Sequence, residues 1–257
     1  MPLYHHHYWL KELRRVAPEL DERSKVEQFI EMMFHLLRGD SESARKLPVF
    51  SKDSESRMDA FVSAMRLLGD EMERHRFEDL LGDAHQDLRG ARSQSSTGSF
   101  YTPQNVSDLM AACTEGGSAK AKLERGEIVT VADEAVGSGR TLMSFAKLYP
   151  DRLEQLRFYA TDIEKSAVMM CYVNCALNGM ALCIRHGNSI SNETWGDVFY
   201  TPEWVAYAPA ARNAEMLKIL RRVLKLGTRR EGETEEEERK EGQQLEQLEQ
   251  LEFDFKL

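Results

Sequence analysis

The chain has 257 residues, 42% of them hydrophobic and 30% charged, enough for one α/β core with an accessory module. No apolar run reaches the roughly 18 residues of a spanning helix, so no membrane partner is expected. The net charge of −9 argues against nucleic-acid contact only until it is located: eleven acidic and five basic residues lie between Thr228 and Leu257, which places −6 in a C-terminal tail.

The N-terminus, MPLYHHHYWLKELRR, lacks the apolar core of a signal peptide, and a cytoplasmic location is the expectation. His5, His6 and His7 are three adjacent potential ligands at a terminus, an arrangement more often incidental than metal-binding, and no metal is assigned. Residues 1–90 read as a helical N-terminal module. KVEQFIEMMFHLLRG (25–39) sets Val26, Phe29, Ile30, Met33 and Phe34 on one stripe at helical spacing. SRMDAFVSAMRLLGD (56–70) does the same with Met58, Phe61, Val62, Met65 and Leu68, and RFEDLLGDAHQDLRG (76–90) is a third helix. ARSQSSTGS (91–99) is a polar linker. GSFYTP (98–103) prepares a helix, with Thr102 suited to cap it and Pro103 to its first turn.

From Glu127 the pattern becomes strand and helix in alternation. IVTVA (128–132), RFYATDI (157–163) and ALCIRHG (181–187) read as buried strands, with DVFYT (197–201) a possible fourth. TLMSFAKLY (141–149) and SAVMMCYVNCALNGM (166–180) are the helices between them, the first stopped by Pro150. This alternation predicts a parallel sheet within an α/β domain spanning 100–227. Cys171 and Cys175 share a helix face without a CxxC spacing, the pattern of small buried thiols. AARNAEMLKILRRVLKLG (210–227) is a last amphipathic helix, and 228–257 reads as an acidic, disordered tail.

Several segments carry ligand chemistry. In VADEAVGSGRT a strand ends, Gly137 and Gly139 flank Ser138 in a tight turn, and a helix begins near Thr141. Glycine suits such a turn because a Cβ blocks the approach of a ligand to main-chain amides. Asp133 and Glu134 just before it repel an anion and favour a cation, unlike a pyrophosphate site. Asp162, at the tip of the next strand, is placed to accept both hydroxyls of a ribose.

These pieces, with GSFYTP, YATDIE, RHGNSIS and DVFYTPEW in this order, resemble the adenine-specific DNA methyltransferases. The likeness is to the modification subunits of type I restriction systems and their relatives on mobile elements. It implies a Rossmann-like class I methyltransferase core, here a truncated parallel sheet, with S-adenosylmethionine as cofactor and DNA as substrate. It further implies a protein partner that supplies sequence recognition or completes the sheet. Asp133, Gly137, Ser138, Gly139 and Asp162 would hold the cofactor, Ile163 would pack on its adenine, Asn188 would touch the same ring, and Phe100, Tyr101 and Thr102 would lie over its methionine end. The family's catalytic Asn/Asp-Pro-Pro-aromatic motif is absent. Its best counterpart is Thr201-Pro202-Glu203-Trp204, in which Trp204 would stack on a flipped adenine beside Thr201 and Pro202. The same four residues equally suit a plain helix start. The resemblance therefore leaves open an enzyme with a degenerate motif and a methyltransferase-like regulatory module that binds DNA or a partner without turnover.

Overall fold

The computed structural model describes residues 8–47, 54–88 and 102–207. Expectations placed on His5 to His7, the linker, Phe100, Tyr101, the helix at 210–227 and the tail lie outside these residues.

Among the described residues five helices come first: α1 (Tyr8–Val16), α2 (Glu22–Leu37), α3 (Ser41–Arg45), α4 (Ser54–Arg74) and α5 (Leu80–Leu88). Asp21 caps α2 by accepting from the N–H groups of Arg23 and Ser24, satisfying two of the donors a helix start leaves open. The expected stripe of α2 is buried throughout. In α4 the buried line runs instead through Ala60, Phe61, Ala64, Leu68 and Met72, while Met58 and Val62 face solvent. The alanines let α1 approach closely, and Trp9 stacks on Phe29 at 5.7 Å, which meets Phe61 edge-on at 5.2 Å. The third expected helix begins later than its pattern, because Phe77 takes a left-handed φ of 65° and donates its N–H to Asn178.

Two further helices, α6 (Gln104–Glu115) and α7 (Ser118–Glu124), lead to the sheet. The cap of α6 is Pro103 and no side chain caps it, so Thr102 does not have the capping role its sequence context predicts. The strands are β1 (Val129–Asp133), β2 (Leu156–Asp162), β3 (Leu182–Asn188) and β4 (Glu193–Tyr200), hydrogen-bonded in the order β1-β2-β3-β4. Helices α8 (Arg140–Ala146) and α9 (Lys165–Leu177) make the crossovers, and α10 (Pro202–Tyr207) follows β4. Strands β1, β2 and β3 are parallel, with Val129 opposite Leu156 and Phe158 opposite Leu182.

The fourth strand departs from the parallel pattern of the other three. It runs antiparallel to β3, pairing Cys183 with Tyr200. Only residues 189–192 link the two strands, whereas a parallel return needs a crossover of about a dozen residues. A Cβ on Gly187 would lie 2.1 Å from the Glu193 carbonyl oxygen, so only glycine allows this hairpin. Asn188 closes it, its carboxamide oxygen accepting from the N–H of Ile190 at 3.0 Å.

One sheet face, with Leu156, Phe158, Leu182 and Ile184, packs on α9 and joins the N-terminal helices in a continuous core. Phe34 of α2 meets Tyr172 of α9 at 5.1 Å and Phe199 of β4 at 5.0 Å, and Arg38 lies over Phe34 and Phe199. The opposite face carries Tyr159 beneath Trp204 of α10. No helix among the described residues is long and apolar enough to cross a membrane.

Candidate functional site

At the carboxyl ends of β1, β2 and β3 the chain turns away from the sheet, and several sequence-derived candidates meet there. Between β1 and α8 the glycine turn is drawn tight: Gly139 N–H donates to the Val136 carbonyl at 3.0 Å, and Val136 N–H to the Thr161 carbonyl at 3.2 Å. Gly137 and Gly139 have φ of 57° and 91°, the left-handed region that side chains disfavour. Asp133 accepts from the Ala135 N–H at 3.1 Å and from the Thr141 hydroxyl, which binds the end of β1 to the start of α8.

Asp162 is joined directly to this turn. One carboxylate oxygen accepts from the Gly137 N–H at 2.8 Å and the other from the Glu164 N–H at 2.9 Å. Burial pushes its titration above the ordinary aspartate range, against the pull of those two N–H groups. Each oxygen retains a lone pair for a further donor. Next to it Ile163 is 61% exposed. The carbonyl of Ile163 accepts from Nε2 of His186 at 3.0 Å, and the His186 ring meets Trp195 edge-on at 5.3 Å. Trp195 and Ile190 are also exposed. Exposed apolar side chains grouped beside a carboxylate are a usual sign of a ligand surface. Asn188 belongs to this edge, although its carboxamide oxygen is engaged in the hairpin.

The structure adds residues that motif reading missed. Asp79, just before α5, is fully buried and accepts from the Gly82 N–H at 2.8 Å, Asn174 Nδ2 at 2.8 Å, Arg140 Nε at 3.0 Å and the Ser138 hydroxyl. Burial raises the Asp79 carboxyl and the Arg140 guanidinium opposes that rise. Arg140 also donates to Asp83 and, at 2.9 Å, to the carbonyl of Thr102. Thr102 is thereby fastened to the glycine turn by its backbone. Farther along α8, Ser144 donates to Asp108 at 2.7 Å and Lys147 pairs with the same carboxylate at 3.0 Å, docking α6 on α8. In the sequence Asp79 and Asp83 lie within RFEDLLGDAHQDLRG, which reads only as a helix.

Thr201, Pro202 and Trp204 are not brought to this edge, which corrects the catalytic assignment. Because β4 runs antiparallel, its end meets the amino end of β3. Thr201 is 0% exposed; its hydroxyl donates to the Met180 carbonyl at 2.7 Å and accepts from the Leu182 N–H at 2.9 Å. Pro202 opens α10. Trp204 is 3% exposed, packed edge-on to Tyr159 at 5.0 Å and beside Tyr200 at 5.8 Å. Tyr159, on which Trp204 packs, lies three residue steps from Asp162 along β2, about 10 Å at strand rise. The buried indole, enclosed by Tyr159 and Tyr200, has no free face to stack on a base presented at the glycine turn.

The sequence model of the family described as N-6 DNA Methylase matches residues 76–209, just over half of the chain. The chain is 30% identical over 144 residues to the type I restriction enzyme MpnII methylase subunit of Mycoplasma pneumoniae; the match covers 52% of this chain and 24% of that protein's length. Among solved structures it is similar to the methyltransferase subunit of a type I restriction-modification system from Streptococcus thermophilus. That match has 19% identity and a TM-score of 0.38, covering 74% of this chain and 41% of the other. It is also similar to a Listeria monocytogenes protein described as a class I S-adenosylmethionine-dependent methyltransferase, with 14% identity and a TM-score of 0.45, covering 74% and 56%.

Proposed function

Because the chain belongs to the N-6 DNA methylase family, we propose that it binds S-adenosylmethionine at the carboxyl edge of its sheet for methyl transfer to adenine in DNA. One observation carries the reading: the 2.8 Å bond that couples the glycine turn to Asp162. It sets a turn with accessible main chain beside a carboxylate able to accept from a ribose. The residues fit the group. Asp162 takes the ribose hydroxyls, Ile163 offers an apolar wall to the adenine, Asn188 retains its amide N–H donors, and Asp133 with Glu134 favours the cationic end over an anion. Gly137, Ser138 and Gly139 shape the floor, and Thr102 borders the methionine end. When bound, the cofactor supplies an electrophilic methyl group on a sulfonium.

The amine-orienting loop has no counterpart on the described part of this edge, and no Asn-Pro-Pro occurs in the sequence. We therefore assign turnover to an assembly with a protein partner that supplies recognition and the missing loop, in keeping with the relative's description as a subunit. The burial of Trp204 between Tyr159 and Tyr200 favours one second reading, a module that binds cofactor and DNA or a partner without turnover. Transfer of a tritiated methyl group to DNA, measured with and without the partner, separates the two. Methylated adenine from either sample sustains the first reading, and saturable cofactor binding with no transfer in any sample leaves the second.

Asp162→Ala is expected to weaken S-adenosylmethionine binding by about 1–3 kcal/mol, since ribose hydroxyls lose their charged acceptor. Calorimetry checks it, and an unchanged dissociation constant removes Asp162 from the site. The pH dependence has opposite signs for ligand and fold. With its titration raised by burial, Asp162 favours the free fold when protonated, so that contribution is lost as pH rises through the raised pKa. Cofactor affinity rises over the same interval, because the carboxylate is the better acceptor of ribose hydroxyls.

DNA contact is assigned to the body of the chain. Deleting residues 229–257 removes a charge of −6 and is expected to preserve or strengthen DNA affinity in a salt titration. Loss of binding on that deletion would give the acidic segment a direct role.

A further inference from the structure

Asp79 accepts from four residues in three parts of the chain. It precedes α5, and its acceptance from the Gly82 N–H is the bond of a helix cap. The same carboxylate reaches the glycine turn, 59 residues away in sequence, through the Ser138 hydroxyl, and takes Arg140 Nε at 3.0 Å. Asn174 of α9 donates at once to Asp79, at 2.8 Å, and to the Ser138 carbonyl, at 2.9 Å. Ser138 is 1% exposed, its hydroxyl given to the buried Asp79. The buried carboxylate thus holds the middle residue of the turn directly through its side chain and, by way of Asn174, through its main-chain carbonyl, while Asp162 holds Gly137 from the other flank.

Gly82 makes the arrangement possible. A Cβ at that position would lie 2.0 Å from the Asp79 oxygen that meets Ser138 and Arg140. The DLLG segment therefore pairs a capping aspartate with a glycine that leaves its carboxylate room to leave the helix. A fully buried carboxylate without a cation and several donors is strongly unfavourable, so Asp79 depends on the Arg140 guanidinium and on the donors that surround it.

We infer that Asp79 is the positioning residue of the cofactor turn, fixing the main chain of Gly137, Ser138 and Gly139 in its ligand-accepting shape from within the N-terminal helical module. The inference rests on the proposed binding of S-adenosylmethionine at this turn. It means that cofactor affinity depends on how the helical module is seated.

The test titrates S-adenosylmethionine into the full-length chain by calorimetry, with ligand-free thermal unfolding measured on each variant. Asp79→Asn, which keeps the size but loses the charge, is expected to raise the dissociation constant about tenfold. Gly82→Ala is expected to act in the same direction although Asp79, Ser138 and Arg140 are all retained. Ser138→Ala, which leaves the Asp79–Arg140 pair intact, is expected to raise it several-fold and carries the test if Asp79→Asn does not fold. A lowered unfolding temperature with unchanged affinity in the folded Ser138→Ala and Gly82→Ala proteins overturns the inference and makes Asp79 a purely architectural group. Failure of the parent chain to bind the cofactor overturns the functional reading itself, an outcome distinct from parent binding that the variants leave unaltered.

Discussion

Trp204→Ala is expected to lower the stability of the fold by about 3–5 kcal/mol, the range for truncating a large buried aromatic. Cofactor affinity of the folded protein should stay unchanged. The indole is 3% exposed and fills the space between Tyr159 and Tyr200 on the sheet face opposite α9. Its removal leaves a cavity bordered by side chains fixed in a sheet, which cannot collapse into it. For a chain of this size each kcal/mol lowers the unfolding temperature by about 2–4 °C, so the change is easily read in a thermal melt. Calorimetry below that temperature supplies the second half of the test. Weakened cofactor or base recognition with an unaltered melt would return Trp204 to the active edge.

The misplacement of that tryptophan shows what motif order conveys and what it does not. The first three strands, the glycine turn and the place of Asp162 at a strand tip are readable because each is a local signal: a short apolar run, two glycines at a fixed spacing, a carboxylate at a strand end. Strand direction is not local. ALCIRHG and DVFYT are separated by nine residues, too few for a parallel crossover, and that spacing held the clue to the antiparallel return. Once β4 reverses, TPEW must lie at the amino edge, where Thr201 bonds the first residues of β3. Asp79 was hidden for another reason. Its partners stand 59 to 95 residues away, and periodicity reports only on neighbours along one element. The stripe of α4 failed more gently, since its alanines form the buried line and carry little hydrophobic signal.

Gly139→Ala addresses the turn from the side of its backbone, and its effect is expected to reach about 2–5 kcal/mol in stability. Two terms add. At φ 91° an L side chain meets its own carbonyl, which costs about 1–2 kcal/mol. The new methyl would also lie 2.9 Å from the Cys171 sulfur and 3.5 Å from the Cys171 Cα on α9, and overpacking of this kind typically costs about 1–3 kcal/mol. Cys171 is fully buried at the centre of α9, so relief has to come from the turn. Displacing the turn stretches the bond from Gly137 to Asp162 and the one from Ser138 to Asp79, so cofactor affinity should fall with stability. Gly137, at φ 57°, lies where asparagine is tolerated, and Gly137→Asn is the matched control. It is expected to unfold at nearly the parent temperature. Equal stability loss at both positions would show that the left-handed backbone, and not the contact with Cys171, is what requires glycine here.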